Sequence, residues 1–205
     1  MENVKDHWEK VFSTKQSHEV SWTQAYPHAS LNYIKLLQLP LTASIIDVGG
    51  GDSNLVVHLL DMGFTNLTVL DISEKALERA KSKMGESSSM INWINDDIND
   101  FHSHRRYDFW HDRAVFHFLT DDAHISKYIK LVNNFVEPGG YFFLGTFSEK
   151  GPLKCSGLEI KQYSEGSMVG TFIDHFMVVK CFTEDHFTPF NTIQNFQYCG
   201  FKKIN

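Results

Sequence analysis

Ile45-Ile46-Asp47-Val48-Gly49-Gly50-Gly51-Asp52-Ser53 is a short apolar run that ends in an acid and breaks into three glycines. It reads as a buried strand that stops, turns sharply and hands over to a helix over 54–62. Glycines at the bend permit positive φ and leave the backbone open to a ligand, with no Cβ in the way. The helix that follows presents unpaired N–H groups at its start. The stretch therefore predicts a small-molecule cradle within the first quarter of the chain.

Outward from this bend the pattern alternates strand and helix, the signature of an α/β parallel sheet. Strands are predicted over 44–48, 67–71, 91–95, 107–111 and 141–146, and two further β-like runs over 176–183 and 195–201 close the chain as a hairpin. Gly63 ends the first helix of this series, Ser73 caps the second, and Thr120 or Asp121 caps the third. Residues 148–170 are rich in Gly, Ser and Lys and weakly periodic. Residues 1–40 lack the βα rhythm and read as helical, carrying Trp8, Phe12, Trp22 and Tyr26.

With 205 residues, 42% of them hydrophobic and 21% charged, the chain suits one globular domain with an N-terminal appendage. A net charge of −6, with basic clusters no longer than Arg105-Arg106 and Lys202-Lys203, argues against a nucleic-acid partner. No apolar run approaches a membrane span, and the first residues, with Glu2, Asp6 and Glu9, fit neither a secretory signal nor a transit peptide. The 11 histidines fall in no HExxH spacing, so no metal site is expected. The three cysteines form no CxxC pair, which predicts a reducing, cytoplasmic setting. Cys181 and Cys199 fall in neighbouring strands of the closing hairpin, but a disulfide is not expected in such a compartment.

Asp71 ends the second predicted strand, 20 residues after Gly51. An acid there accepts both hydroxyls of a ribose, which fits a nicotinamide dinucleotide or S-adenosylmethionine. A dinucleotide site wants G-x-G-x-x-G so that pyrophosphate lies on the helix N-terminus. Counted from Gly49, the sixth position is Asn54, and that pattern fails. Acid-x-Gly-x-Gly over 47–51 suits the sulfonium nucleoside, which brings no phosphate.

The series IIDVGGGDS, VLDIS, NDDI, YDFWHDRAVFHFL and EPGGYFFLGTF, in this order, resembles the class I S-adenosylmethionine-dependent methyltransferases over residues 40–205. The resemblance implies a doubly wound, mostly parallel seven-stranded sheet whose last strand runs antiparallel. It divides the chain into an N-terminal helical lid over 1–40 and a cofactor-binding domain over 41–205. By position, Gly49, Gly50 and Gly51 would pack against the methionine and ribose portions and Asp47 would place the ammonium head. Asp71 would take the ribose hydroxyls and Ile72 the adenine face. Asp97 would accept from the adenine amino group, the Ile98 N–H would bond a ring nitrogen, and Asp112 would line the methionine arm. Ser53 stands where many members have a third spaced glycine. Trp22 and Tyr26 are expected as lid aromatics over the sulfonium, where a cation on an aromatic face gains about 0.5–2 kcal/mol. His117 and Asp112 are the candidate catalytic residues, and S-adenosylhomocysteine is the implied product.

Members that methylate planar amide or base nitrogens usually carry Asn/Asp-Pro-Pro-aromatic after the fourth strand. This chain has Asp112-Arg113-Ala114-Val115, which disfavours those acceptors. A small molecule held between the lid and the 151–158 loop ranks first. A protein lysine is the alternative, because His7-Trp8-Glu9 and Val20-Ser21-Trp22 ahead of Asp47 also resemble elongation-factor lysine methyltransferases. A non-catalytic binding protein on the same fold is the reading from another class.

Overall fold

The computed structural model describes residues 3–204 in two units, one running to His102 and including Thr188–Asn191, the other Ser103–Phe187 with the chain from Thr192 onward. In the first unit β1 (Ser44–Val48) is buried along its whole length, as a strand covered on both faces must be. It pairs in parallel with β2 (Asn66–Asp71), Ser44 opposite Asn66 and Val48 opposite Leu70. β2 pairs in parallel with β3 (Ile91–Asn95), Asp71 opposite Asn95. Parallel pairing brings the carboxyl ends of all three strands, and hence Asp47 and Asp71, to one edge.

The helices of this unit follow local signals. α1 (Val4–Thr14) is capped by Asn3, whose side chain accepts from Lys5 N, and buries Val11 and Phe12. α2 (His28–Leu37) buries Leu31, Tyr33 and Ile34 and ends in a left-handed Gln38. α3 (Leu55–Asp61) follows the glycine bend. α4 (Glu74–Met84) starts on Ser73, whose hydroxyl accepts from Ala76 N, carries Lys81 and Lys83 in its last turn and stops at Gly85.

The second unit pairs β4 (Tyr107–Arg113) in parallel with β5 (Val136–Phe147), joined by α5 (Asp122–Phe135), which Asp121 caps. A two-residue hairpin follows, β6 (Lys154–Cys155) and β7 (Leu158–Glu159), turned by Ser156 and Gly157 at φ 51° and 83°. α6 (Glu165–Phe172) begins with a capping box between Ser164 and Ser167. The chain closes with β8 (Phe176–Phe187) and β9 (Ile193–Lys203), and β9 runs antiparallel to both β5 and β8. Seven strands make up the sheet, β3-β2-β1 from the first unit and β4-β5-β9-β8 from the second. The fold is thus the mostly parallel, helix-flanked, Rossmann-like sheet with an antiparallel last strand that the family resemblance implies.

One expectation needs correction. Cys181 and Cys199 lie directly opposite in the β8–β9 register, 4.1 Å apart at Cα, and are disulfide-bonded. The pairing register, invisible in the cysteine count, brings them together, and the cysteines no longer argue for a reducing setting. Cys155 is free and buried.

Aromatic rings fill the core of the second unit. Phe142 is fully buried, with ring centroids of Phe172, Phe176 and Phe201 at 5.0, 5.7 and 5.6 Å. Aromatic pairs of this kind add about 0.5–1.5 kcal/mol each beyond area burial. Phe142→Ala is therefore expected to lower stability by about 3–5 kcal/mol. The check is a urea titration, where the midpoint should fall with the slope unchanged. A shift worth under about 1 kcal/mol would contradict this view of the core.

Candidate functional site

The three glycines of the bend serve two purposes. Gly49 alone among them takes positive φ, at 67°, and its N–H donates to Leu70 O at 2.7 Å. Gly50 and Gly51 are glycine for lack of space. A Cβ on Gly50 would sit 2.5 Å from Asp47 Oδ2, and one on Gly51 would sit 2.5 Å from Asp71 Oδ2 and 2.7 Å from Ala76 Cβ. Two buried carboxylates thus lie against two residues of bare backbone. Asp47 accepts from Ser53 Oγ at 3.1 Å, and Ser53 Oγ in turn accepts from Leu55 N at 3.3 Å, which ties the bend to the start of α3.

Asp71 accepts from Ser73 N at 2.8 Å and from the Gly51 N–H. Burial lifts its carboxyl to about 7; these two N–H groups pull the value down, and the charges of Asp47 and Glu9 raise it further. Asn95 Nδ2 donates to the carbonyls of Asp71 and Ile72, both at 3.0 Å, and Asp96 N donates to Asp71 O at 3.1 Å. The half-buried Ile72 is therefore held beside Asp71. Asp97 uses one oxygen in an Asx turn, accepting from Asn99 N at 2.8 Å and Asn99 Nδ2 at 2.9 Å, and Ile98 beside it is buried.

The structure separates the two expected lid aromatics. Trp22 packs edge-on against Trp8 and Phe12, at 5.7 and 6.3 Å between centroids. Tyr26 instead meets His28 and His58, and its face and hydroxyl engage Lys35.

In the second unit Asp112 is buried with both oxygens engaged. Oδ1 accepts from Val115 N at 3.0 Å and Phe116 N at 3.3 Å, and Oδ2 accepts from Tyr128 OH at 2.5 Å. Trp110 Nε1 donates to Tyr128 OH at 3.3 Å. Burial lifts the Asp112 carboxyl to about 6, chiefly against the pull of the Tyr128, Val115 and Phe116 hydrogen bonds. Asp112 thereby fixes a turn in which Ala114 takes φ 71° and which delivers His117.

His117 is 0% exposed, and among the described residues neither ring nitrogen has a hydrogen-bond partner. Burial first, then the charge of Arg113, drives its pKa down to about 3, so the imidazole stays neutral. Its ring lies 4.9 Å from that of Phe147, and its carbonyl accepts from Lys161 N at 2.8 Å. Arg113 lies over Phe196 at 4.6 Å, and its Nε donates to Tyr198 OH at 3.1 Å. Burial pushes the Cys155 thiol up to about 12, Arg113 opposing, so Cys155 is no nucleophile at neutral pH. Among the described residues no group of His, Cys, Asp and Glu could hold a metal, and no helix is long and apolar enough to cross a membrane.

Residues 45–140 match the family model of a methyltransferase domain. Residues 45–140 thus carry a methyltransferase domain. The domain is similar to mouse (Mus musculus) EEF1A lysine methyltransferase 2, 26% identical over 48% of this chain and 43% of the relative. It is also similar to nodulation protein S of Sinorhizobium fredii (strain NBRC 101917 / NGR234), 28% identical over 58% of this chain and 54% of the relative. The chain thus spans about half the length of the curated relatives it matches. Among solved structures, the N-methyltransferase NodS from Bradyrhizobium japonicum WM9 in complex with S-adenosyl-L-homocysteine superposes with a TM-score of 0.71. It shares 16% identity and covers 98% of this chain and 100% of its own, a likeness of fold.

Within the methyltransferase domain, Asp47, Gly49–Gly51, Asp71 and Ile72 form one cluster in the first unit. Asp112 and His117 form another in the second. Sequence reading missed Tyr128, the partner of Asp112. It also missed the hold of Glu9 on the start of α4 and of Asp52 and Arg79 on the N-terminal segment. Each depends on contacts between residues 16 or more positions apart, and no local pattern announces them.

Proposed function

We propose that the chain transfers a methyl group from S-adenosylmethionine to a small-molecule acceptor and releases S-adenosylhomocysteine. One observation carries this reading: the buried carboxylates of Asp47 and Asp71 lie against the Cβ-less backbone of Gly50 and Gly51. Two carboxylates in that position repel a diphosphate and attract hydroxyl and ammonium donors. The residues therefore fit an adenosyl sulfonium, with its ribose hydroxyls and amino-acid head. Asp71 accepts the ribose hydroxyls, Asp47 places the ammonium, and Gly49–Gly51 give the backbone its close approach. Ile72, Asp97 and Ile98 take the adenine, and Trp22 with Tyr26 belongs to a helical lid over 1–40.

When bound, S-adenosylmethionine supplies an electrophilic methyl on a sulfonium. The chain's own contribution is alignment and exclusion of water, effects worth up to about 7–11 kcal/mol in well-oriented reactions. His117, neutral and with no partner for either nitrogen among the described residues, accepts a hydrogen bond from the acceptor's N–H or O–H. Asp112 acts through the turn it holds and is a positioning residue. The enclosure of His117 by the segment that carries Lys161 and Tyr163 favours a small acceptor over a side chain on a protein surface.

Similarity to EEF1A lysine methyltransferase 2 favours a protein lysine as the second reading. Incubation with methyl-labelled S-adenosylmethionine and a panel of amines, thiols and carboxylates, beside a protein lysate, decides between them. Label on a small molecule is the expected result. Label confined to protein would replace it with the lysine reading, and no transfer to either would leave a binding protein.

A further inference from the structure

The N-terminal segment grips the first unit on both sides of the glycine bend. On one side Glu9 of α1 accepts from Ser73 Oγ at 3.1 Å, Glu74 N at 2.6 Å and Lys75 N at 3.2 Å, which caps α4 two residues beyond Asp71. On the other, Asn54 Nδ2, at the N-cap of α3, donates to Gln24 O at 2.8 Å, and His58 Nε2, midway along α3, lies 3.0 Å from Ala25 O. Between these anchors Ser17 Oγ donates to Asp52 Oδ2 at 2.6 Å, one residue after Gly51.

Arg79 on α4 joins these parts. Its guanidinium donates to Phe12 O at 2.6 Å and to Lys15 O, reaches Asp52 Oδ2 at 3.4 Å, and lies over the Phe12 ring. α1 has no basic residue in its own last turn, so Arg79 supplies from another helix the cation that a helix C-terminus favours. Lys83 also pairs with Asp52. A planar fork with five N–H donors meets two carbonyls and a carboxylate at once, which a single ammonium on Lys does less well.

We propose that Arg79 is a positioning residue for the cofactor. With Asp52 it latches residues 12–17 and so keeps the strap from α1 to Tyr26 closed across the bend while the nucleoside is bound. The proposal rests on the reading that S-adenosylmethionine occupies the bend. Burial beneath a latched strap slows release, so the latch acts on residence time and KM.

Hydrogen exchange on the ligand-free full chain reads the latch without any cofactor. Arg79→Met should speed exchange at residues 12–20 by tenfold or more and leave β1 and β2 protected. Arg79→Lys should fall between it and the natural chain. Ser17→Ala, which removes only the hydroxyl on Asp52, should give a smaller change in the same direction. Stopped-flow release of S-adenosylhomocysteine should be about tenfold faster in Arg79→Met, and KM for S-adenosylmethionine should rise by more than kcat falls. Natural exchange rates at 12–20 in Arg79→Met would overturn the latch, as would a loosened strap with unchanged release. Failure of the natural chain to bind S-adenosylhomocysteine would instead overturn the cofactor reading.

Discussion

Asp71→Ala should weaken S-adenosylmethionine binding about 100-fold. Hydrogen bonds to a charged group contribute about 1.5–3 kcal/mol each, and the ribose offers two. Losing roughly 3 kcal/mol corresponds to about a hundredfold in Kd. Because the Asp71 carboxyl sits at about 7, binding by the natural chain should also weaken as the pH falls below 7, by up to about tenfold per unit. The sign follows from the donors: ribose hydroxyls favour the ionised carboxylate, so protons compete with the ligand. The ligand-free fold responds in the opposite sense. A carboxyl raised above its unfolded value contributes stability that is lost as pH rises from about 4 through about 7, so bound cofactor should stabilise the chain most above neutrality. Calorimetric titration of both chains from pH 5.5 to 8.5 checks this. Equal affinity of the Ala variant, or a pH-independent Kd, would remove Asp71 from the ribose.

The second large effect falls on His117. His117→Leu should lower kcat by about 10²–10⁴, the usual contribution of a positioned proton acceptor, with little change in cofactor affinity. The same change should raise stability, because it removes two buried nitrogens that have no partner among the described residues, each worth about 1–3 kcal/mol. The gain should be largest at acid pH. A histidine held down to about 3 in the fold, but near 6.5 when unfolded, costs stability as pH falls from about 6.5 towards 3. A variant both more stable and nearly inactive marks a residue kept for chemistry. A variant more stable and fully active would make His117 a core histidine and no more. Rate profiles of the natural chain should also show no step near pH 6.5 from this imidazole, since it is already neutral there.

Much of the scaffold is legible locally. β1 and β2 sit where the apolar runs place them, because a parallel strand buried on both faces must be a continuous apolar stretch, and β3, a partly exposed edge strand, also falls on its predicted residues. β5 escapes its predicted start because Val136 already pairs with Tyr107 across a bulge, ahead of the Pro138-Gly139-Gly140 stretch read as a helix stop. α6 hides in a segment of weak periodicity, and its local sign is the Ser164–Ser167 capping pair. At the site, the bend and the acid at the end of β2 follow from spacing. The reason for Gly50 and Gly51 does not, since it lies in the approach of Asp47, Asp71 and Ala76. The Cys181–Cys199 disulfide likewise depends on a register that the sequence leaves open.

On the proposed reading, two carboxylates at a bare-backbone bend would receive an adenosyl sulfonium and refuse a diphosphate. Side-by-side calorimetric titration of the full chain with S-adenosylmethionine and NADH tests it most directly. Saturable heat from S-adenosylmethionine and none from NADH is the predicted result; saturable heat from NADH with none from S-adenosylmethionine would contradict it.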